Sequence, residues 1–198
     1  SSILIKSYSF RPLRRFGIKL SSGLLLFHTA IFPRCGFGIG WSCASVMVII
    51  RGSTNVTSRF TKAVVTIGNF DGVHCGHQAI FTRLSSLSRL HDGAPRVVIT
   101  FEPHPRQFLS ANKTILARIT GLRAKIRRLE EVGVDGVLVL GFSHPLATLS
   151  AADFVQRYLI HGLEVREVLV GENFRFGSGG QGNLETMRKM GEIAGFGV

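Results

Sequence analysis

Acidic residues are missing from the first 70 positions: the first in the chain is Asp71. That gap localises the formal net charge of +12. Residues 1–46 carry Lys6, Arg11, Arg14, Arg15, Lys19 and Arg34 with no acid, half of the excess, and the remaining residues hold a net of only +6. A nucleic-acid binder would be expected to concentrate its charge on a recognisable module. No RNA- or DNA-binding motif is present, so a nucleic-acid partner is not expected, and the milder excess suits phosphate-bearing ligands. Cysteine is also scarce. Cys35, Cys43 and Cys75 are odd in number and form no C-x-x-C pair, which excludes a disulfide framework and a zinc site and fits a reducing compartment. No apolar run reaches the roughly 20 residues a membrane span requires. The longest candidate, residues 23–32, is too short and contains His28, so no membrane partner is expected. Internal repeats and low-complexity tracts are lacking too.

What is present falls into two parts. Residues 1–46 are rich in Ser, Arg, Phe and Leu and keep no sustained period. They fit upstream sequence read through before a start at Met47, or an organelle transit peptide, which is Arg- and Ser-rich and acid-poor; the former is favoured. From Met47 the pattern becomes regular. Residues 47–51 (MVIIR), 63–67 (AVVTI), 96–101 (RVVITF), 136–142 (GVLVLGF) and 167–170 (EVLV) read as strands, most of them apolar runs of the kind buried on both faces. Between them lie helical periods. Residues 76–90 place Ile80, Leu84 and Leu87 on one face, and residues 122–132 do the same with Leu122, Ile126 and Leu129. Ser150 caps a helix with Asp153 at the capping-box position and a stripe of Ala151, Phe154, Val155, Tyr158 and Leu159. Residues 184–194 form a last helix. The run Arg123, Lys125, Arg127 and Arg128 is expected to be a solvated helix face. Strands alternating with amphipathic helices predict an α/β fold with a parallel sheet flanked by helices. Such sheets bind ligands beyond the carboxyl ends of their strands.

The motifs sit at those ends. Residues 68–77 (GNFDGVHCGH) leave the second strand and enter a helix at Gly76. A helix N-terminus offers unpaired N–H groups and a partial positive charge, a natural anion site. Gly68 and Gly72 let the chain turn, and Gly76 keeps a side chain out of the way of a phosphate. His74 and His77 can converge on one anion, both ring nitrogens donating when protonated. A surface or metal-binding histidine pair is the alternative. Residues 101–105 (FEPHP) make a rigid loop around His104 after the third strand, structural or ligand-lining. Residues 170–177 (VGENFRFG) place two rings and a guanidinium after the last strand. The rings suit a core as well as a ligand platform, and Arg175 suits a phosphate.

Taken together these strings resemble the FMN adenylyltransferase (FAD synthetase) module of the bacterial bifunctional riboflavin kinase/FAD synthetase family. Residues 118–120 (RIT) with Lys125, 133–135 (GVD), and 149–151 (LSA) before Phe154 and Val155 extend the match over residues 47–198. The resemblance implies a Rossmann-like nucleotidyltransferase fold and the reaction of ATP with FMN to give FAD and pyrophosphate. It implies catalytic roles for His74 and His77, and ATP contacts from Gly68, Asn69, Phe70, Asp71, Gly72 and Gly76. Flavin contacts would come from Phe101, Pro103, His104, Asn173, Phe174 and Arg175. Mg²⁺ would bridge phosphate oxygens with few protein ligands; Asp71 is open to positioning it or to ordering the loop. A riboflavin kinase domain is expected in cis, in the cytoplasm, or in an organelle if residues 1–46 are a transit peptide. Rival acceptors within the superfamily are pantetheine phosphate and nicotinate mononucleotide. Two departures from the family pattern are Gly180, where many relatives have Arg, and Asn183, where many have Asp. The sequence given ends before the family's downstream I-S-S-T-x-x-R motif, so low activity, or an inactive remnant, is a further expectation. Limited proteolysis is expected to trim the chain to near Met47; a stable product retaining residues 1–46 would contradict this division.

Overall fold

Five short runs of β-branched and apolar residues pair side by side, all parallel, in the order β1-β4-β3-β2-β5. They are β1 (Val48–Arg51), β2 (Val64–Ile67), β3 (Arg96–Glu102), β4 (Gly136–Gly141) and β5 (Glu167–Leu169). The helices are α1 (Cys75–Leu90), α2 (Pro105–Leu109), α3 (Leu122–Glu131), α4 (His144–Ala147), α5 (Ala151–Phe154) and α6 (Leu184–Ala194). The computed structural model describes residues 47–52, 56, 58–110 and 120–198. The expectations for residues 1–46, and for Arg118 and Ile119, lie outside the described residues.

Strand periodicity sorts the core into two layers. Val65, Ile67, Val97, Ile99, Leu138 and Val168 face one way and pack with Phe154, Leu159 and Met187. Their neighbours Val64, Val98 and Val137 face the other way, against Phe81, Leu84 and Leu87 of α1 and Leu129 of α3. Register is continuous across the sheet: Val97 sits opposite Gly136, and Val64 opposite both Arg96 and Glu167. Below the strands, Asp135 accepts from the Arg96 backbone N–H at 2.9 Å and from its guanidinium at 2.9 and 3.1 Å. This two-toothed pairing pins β3 to β4 at their starts. His91, at the end of α1, meets the Glu167 carboxylate at 2.8 Å. After α6 the backbone returns beside β5, where Gly197 pairs with Glu167 in a single parallel bridge.

Some expectations shift. Ser150 does cap α5, accepting from the Asp153 N–H at 3.0 Å, but Asp153 answers by accepting from the Ser150 hydroxyl at 2.6 Å rather than from its backbone. The stripe then continues through a π turn at Val155–Ile160, whose wider pitch still buries Val155, Tyr158 and Leu159. On α1 the buried residue is Phe81 rather than Ile80. The basic run is not all solvated. Arg123, Arg127 and Arg128 are exposed, whereas Lys125 is buried, only 4% exposed. It lies one turn before Leu129, so the two share the sheet-facing side of α3. Leu129 itself is fully enclosed. Leu129→Ala is expected to cost about 2–5 kcal/mol, measured as the change in unfolding free energy in urea.

Candidate nucleotide site

The loop between β2 and α1 is built around a left-handed turn. Phe70 (φ 47°), Gly72 (φ 76°) and Val73 (φ 43°) all adopt positive φ. Glycine takes this freely at 72, but a β-branched residue at 73 is an outlier, and each strained residue costs on the order of 1–3 kcal/mol. Burial and hydrogen bonding offset that cost. Phe70 and Val73 are 2% and 3% exposed and anchor the loop beneath α1. Both the N–H and the hydroxyl of Thr120 donate to Asp71 Oδ1 at 2.8 Å, and the same hydroxyl accepts from the Gly72 N–H at 3.0 Å. Of the two roles open to Asp71, the geometry supports ordering the loop.

His74 is the N-cap residue of α1 and Cys75 its first residue; the first turn itself holds no acidic side chain to offset the positive helix end. The His74 and His77 rings stack with centroids 3.7 Å apart and planes at 22°. A Cβ at Gly76 would lie 3.2 Å from the His74 ring, so glycine here makes room for that ring. Phe70 is placed differently from the ligand contact expected of it. Its ring sits under the site, edge-on to His77 at 5.1 Å and 5.2 Å from Phe81, so its backbone alone belongs to the loop surface. Gly68 lies close over the same ring, which a Cβ there would meet at 3.0 Å.

Two buried polar atoms of this loop, Asn69 Oδ1 and His77 Nδ1, have no hydrogen-bond partner among the described residues. Burial, then the neighbouring His74, holds His77 below the usual histidine range, with Lys125 adding to the effect and Asp71 opposing it. Without a ligand His77 is therefore neutral near pH 7 and donates through one nitrogen, not both.

The loops on either side complete the rim. After β3, Phe101 is half-buried, the Glu102–Pro103 bond is cis, and His104 caps α2 by accepting from the Arg106 N–H at its Nδ1, 3.1 Å away. That bond puts the proton of neutral His104 on Nε2. Phe142, just past β4, meets the Phe101 ring at 6.0 Å and the 42% exposed Phe108 ring at 5.5 Å, both edge-on. This aromatic shelf was missed in the sequence, where Phe142 reads as a strand residue. Beyond β5, Asn173 and Arg175 are exposed. Phe174 between them stacks on the buried Phe176 at 5.4 Å, so its ring is braced on the core. Strand order sets FEPHP and NFR on opposite sides of β2, with the histidine loop between them. Asn183 caps α6, its Oδ1 accepting from the Thr186 N–H at 2.9 Å, a task Asn and Asp perform about equally. Gly180 sits in the left-handed region at φ 67°.

The family model for FAD synthetase matches residues 56–198. The chain belongs to the FAD synthetase family. This FAD synthetase-family chain is 42% identical over 152 residues to the bifunctional riboflavin kinase/FMN adenylyltransferase of Pseudomonas fluorescens, covering 77% of this chain and 48% of that one. Its identity to the protein of the same name from Escherichia coli K12 is 40% over 153 residues, 77% and 48% of the two chains. For that of Buchnera aphidicola subsp. Acyrthosiphon pisum it is 39% over 145 residues, 73% and 46%. The chain thus spans about half the length of the curated relatives it matches. Among solved structures it is similar to the crystal structure of a macrolide-efflux protein from Streptococcus pneumoniae, with TM-score 0.63 and 28% identity over 72% of this chain and 46% of that one.

An anion bound beside His77 raises its affinity for a proton. Inorganic pyrophosphate binding is therefore expected to take up protons, more at about pH 6 than at about pH 8. Calorimetry in buffers of different ionisation enthalpy reads that uptake, and His77→Ala should reduce it.

Proposed function

We propose that this domain transfers AMP from ATP to FMN, releasing pyrophosphate and forming FAD. The observation that carries this is the pairing, on one sheet edge, of an anion loop with a helix N-terminus and a flanking aromatic shelf. The loop suits the triphosphate. Its helix end, the backbone of residues 73–76 and the stacked His74 and His77 meet phosphate oxygens; the orphaned His77 Nδ1 donates to one when it carries the proton, and the orphaned Asn69 Oδ1, an acceptor, takes a hydroxyl or amino group of the nucleotide. The shelf of Phe101, Phe108 and Phe142, with Pro103 and His104, suits the flat isoalloxazine ring, and Asn173, Phe174 and Arg175 approach from the far side of β2.

In the reaction an oxygen of the FMN phosphate forms a bond to the α-phosphorus of ATP in line, while the bond to the bridging oxygen breaks and pyrophosphate carries the electron pair away. No protein nucleophile is needed. The chain's residues position the two phosphates and aim donors at the charge developing between them. Mg²⁺, as part of this proposal, would accompany ATP and supply positive charge that offsets part of its phosphate charge. Asp71 is the carboxylate of the loop, and its Oδ1 is engaged by Thr120, which fits an ion carried in on the phosphates. A riboflavin kinase domain in cis, as the names of the bifunctional relatives indicate for those proteins, would supply FMN beside this site. A cytoplasmic location belongs to the same proposal, since ATP and FMN are its substrates. No helix among the described residues is long and apolar enough to cross a membrane.

The purified chain with ATP and Mg²⁺ is offered FMN, nicotinate mononucleotide or pantetheine phosphate, and products are separated by chromatography. FAD as the adenylylated product is expected; preferential adenylylation of another acceptor would overturn the proposal. The comparison is between acceptors, so it holds at low turnover, and quenching of FMN fluorescence reads the flavin site directly. His74→Ala and His77→Ala are each expected to slow transfer by roughly 10²–10³-fold, the loss typical of one donor to developing charge, while FMN binding is kept.

A further inference from the structure

Lys125 is buried, with 4% of its surface exposed, alone among the basic side chains of its run. Burying an ammonium is unfavourable unless the charge is held by partners, so its surroundings are informative. The side chain runs from the first turn of α3 along the sheet to the carboxyl end of β3, where Nζ donates to Thr100 Oγ1 at 3.4 Å. Thr100 is itself fully buried, and its hydroxyl donates on to the Asn69 carbonyl at 3.4 Å. Five residues earlier, Thr120 holds Asp71 and Gly72. The start of α3 therefore grips the left-handed loop at two points, Asn69 through Thr100 and Lys125, and Asp71–Gly72 through Thr120. Electrostatics run in the same direction. The groups facing the His77 ring are His74 from α1, Asp71 from the loop, Lys125 from α3, and the Phe70 ring. Asp71 brings a full negative charge to a site shaped for anions, while neutral His77 brings none to oppose it.

We propose that Lys125 is a positioning residue of the anion loop: from behind the loop its buried ammonium offsets the charge of Asp71 and, through Thr100, holds the Asn69 end of the loop in the conformation that receives phosphate. The proposal rests on residues 68–77 being a phosphate site but not on the identity of the acceptor. Lys125 is only 4% exposed and its ammonium meets Thr100, so it acts through the loop and its field rather than by contact.

The test uses the full chain and inorganic pyrophosphate, measured by calorimetry, with Lys125→Met, which keeps the length of the stem and removes the charge. Pyrophosphate affinity should fall by about tenfold, the size expected of one charge behind a ligand at protein-like effective dielectric. The His77 ring, followed by NMR, should titrate at higher pH once the cation is gone. A purely structural lysine would lower the melting temperature of the variant and leave both readouts unmoved. Unchanged pyrophosphate affinity in Lys125→Met overturns the proposal, as does failure of the wild-type chain to bind pyrophosphate. If Lys125→Met does not fold, Thr100→Val serves: it keeps the charge, is close in shape, and cuts the tether, so affinity should fall several-fold, and wild-type affinity there overturns the proposal. Pyrophosphate carries no flavin. A chain that binds it with the Lys125 dependence but makes no FAD refutes the flavin reaction alone, and a chain that makes FAD without that dependence refutes the role of Lys125 alone.

Discussion

The structure turns on one local conflict, a left-handed stretch of backbone that its side chains do not favour. Phe70 and Val73 both carry positive φ, and neither would hold it in a free peptide. They hold it because their side chains are locked in the core and because Thr120 bonds Asp71 and Gly72 from another part of the chain. The gain from this conflict is a concave run of backbone leading into the start of α1, where the N–H groups are unpaired. A relaxed loop would leave the same residues in the sequence and no cradle in space.

Much of the fold was legible because strands buried on both faces must be apolar throughout and cannot hide in composition. The runs around Val64, Val97 and Val137 announced themselves in this way, and the helices followed from their spacing. The anion loop was legible through its glycines and its place between strand and helix. What could not be read depends on which way a side chain points. Phe70 is an aromatic residue in a ligand loop, and nothing in its neighbours tells whether the ring faces ligand or core. Thr120 lies 48 and 49 residues from the groups it holds, so no local pattern joins them. Phe142 and Phe108 meet only because β4 lies beside β3. Lys125 was the nearest miss. Spacing 122, 125 and 129 already put it on the apolar arc of α3, but its charge grouped it with Arg123, Arg127 and Arg128.

The distribution of charge is the second lesson. The large excess of the whole sequence says little about the site, since half of it belongs to residues 1–46. At the loop itself the balance is struck by single groups: a carboxylate tied to Thr120, two stacked imidazoles of which His77 is held neutral, a lysine behind them, and the end of a helix. In the proposed phosphate site, positive potential would thus come mainly from oriented dipoles and one enclosed cation, which cost little reorganisation when a ligand arrives.

The position of β2 bears on how the molecule is assembled. It pairs with β3, reached after one helix, and with β5, which arrives about a hundred residues later; the Thr66 hydroxyl donates to the Leu169 carbonyl across 103 positions. Non-local closure of this kind is slow and earns its contacts only after the intervening chain has been ordered. During synthesis, the β2-α1-β3 unit can form while the arm that bears Asn173 and Arg175 is still unmade. The loop after β2 and the loop beyond β5 therefore come together last, and a nascent chain passes through a stage in which the first exists without the second.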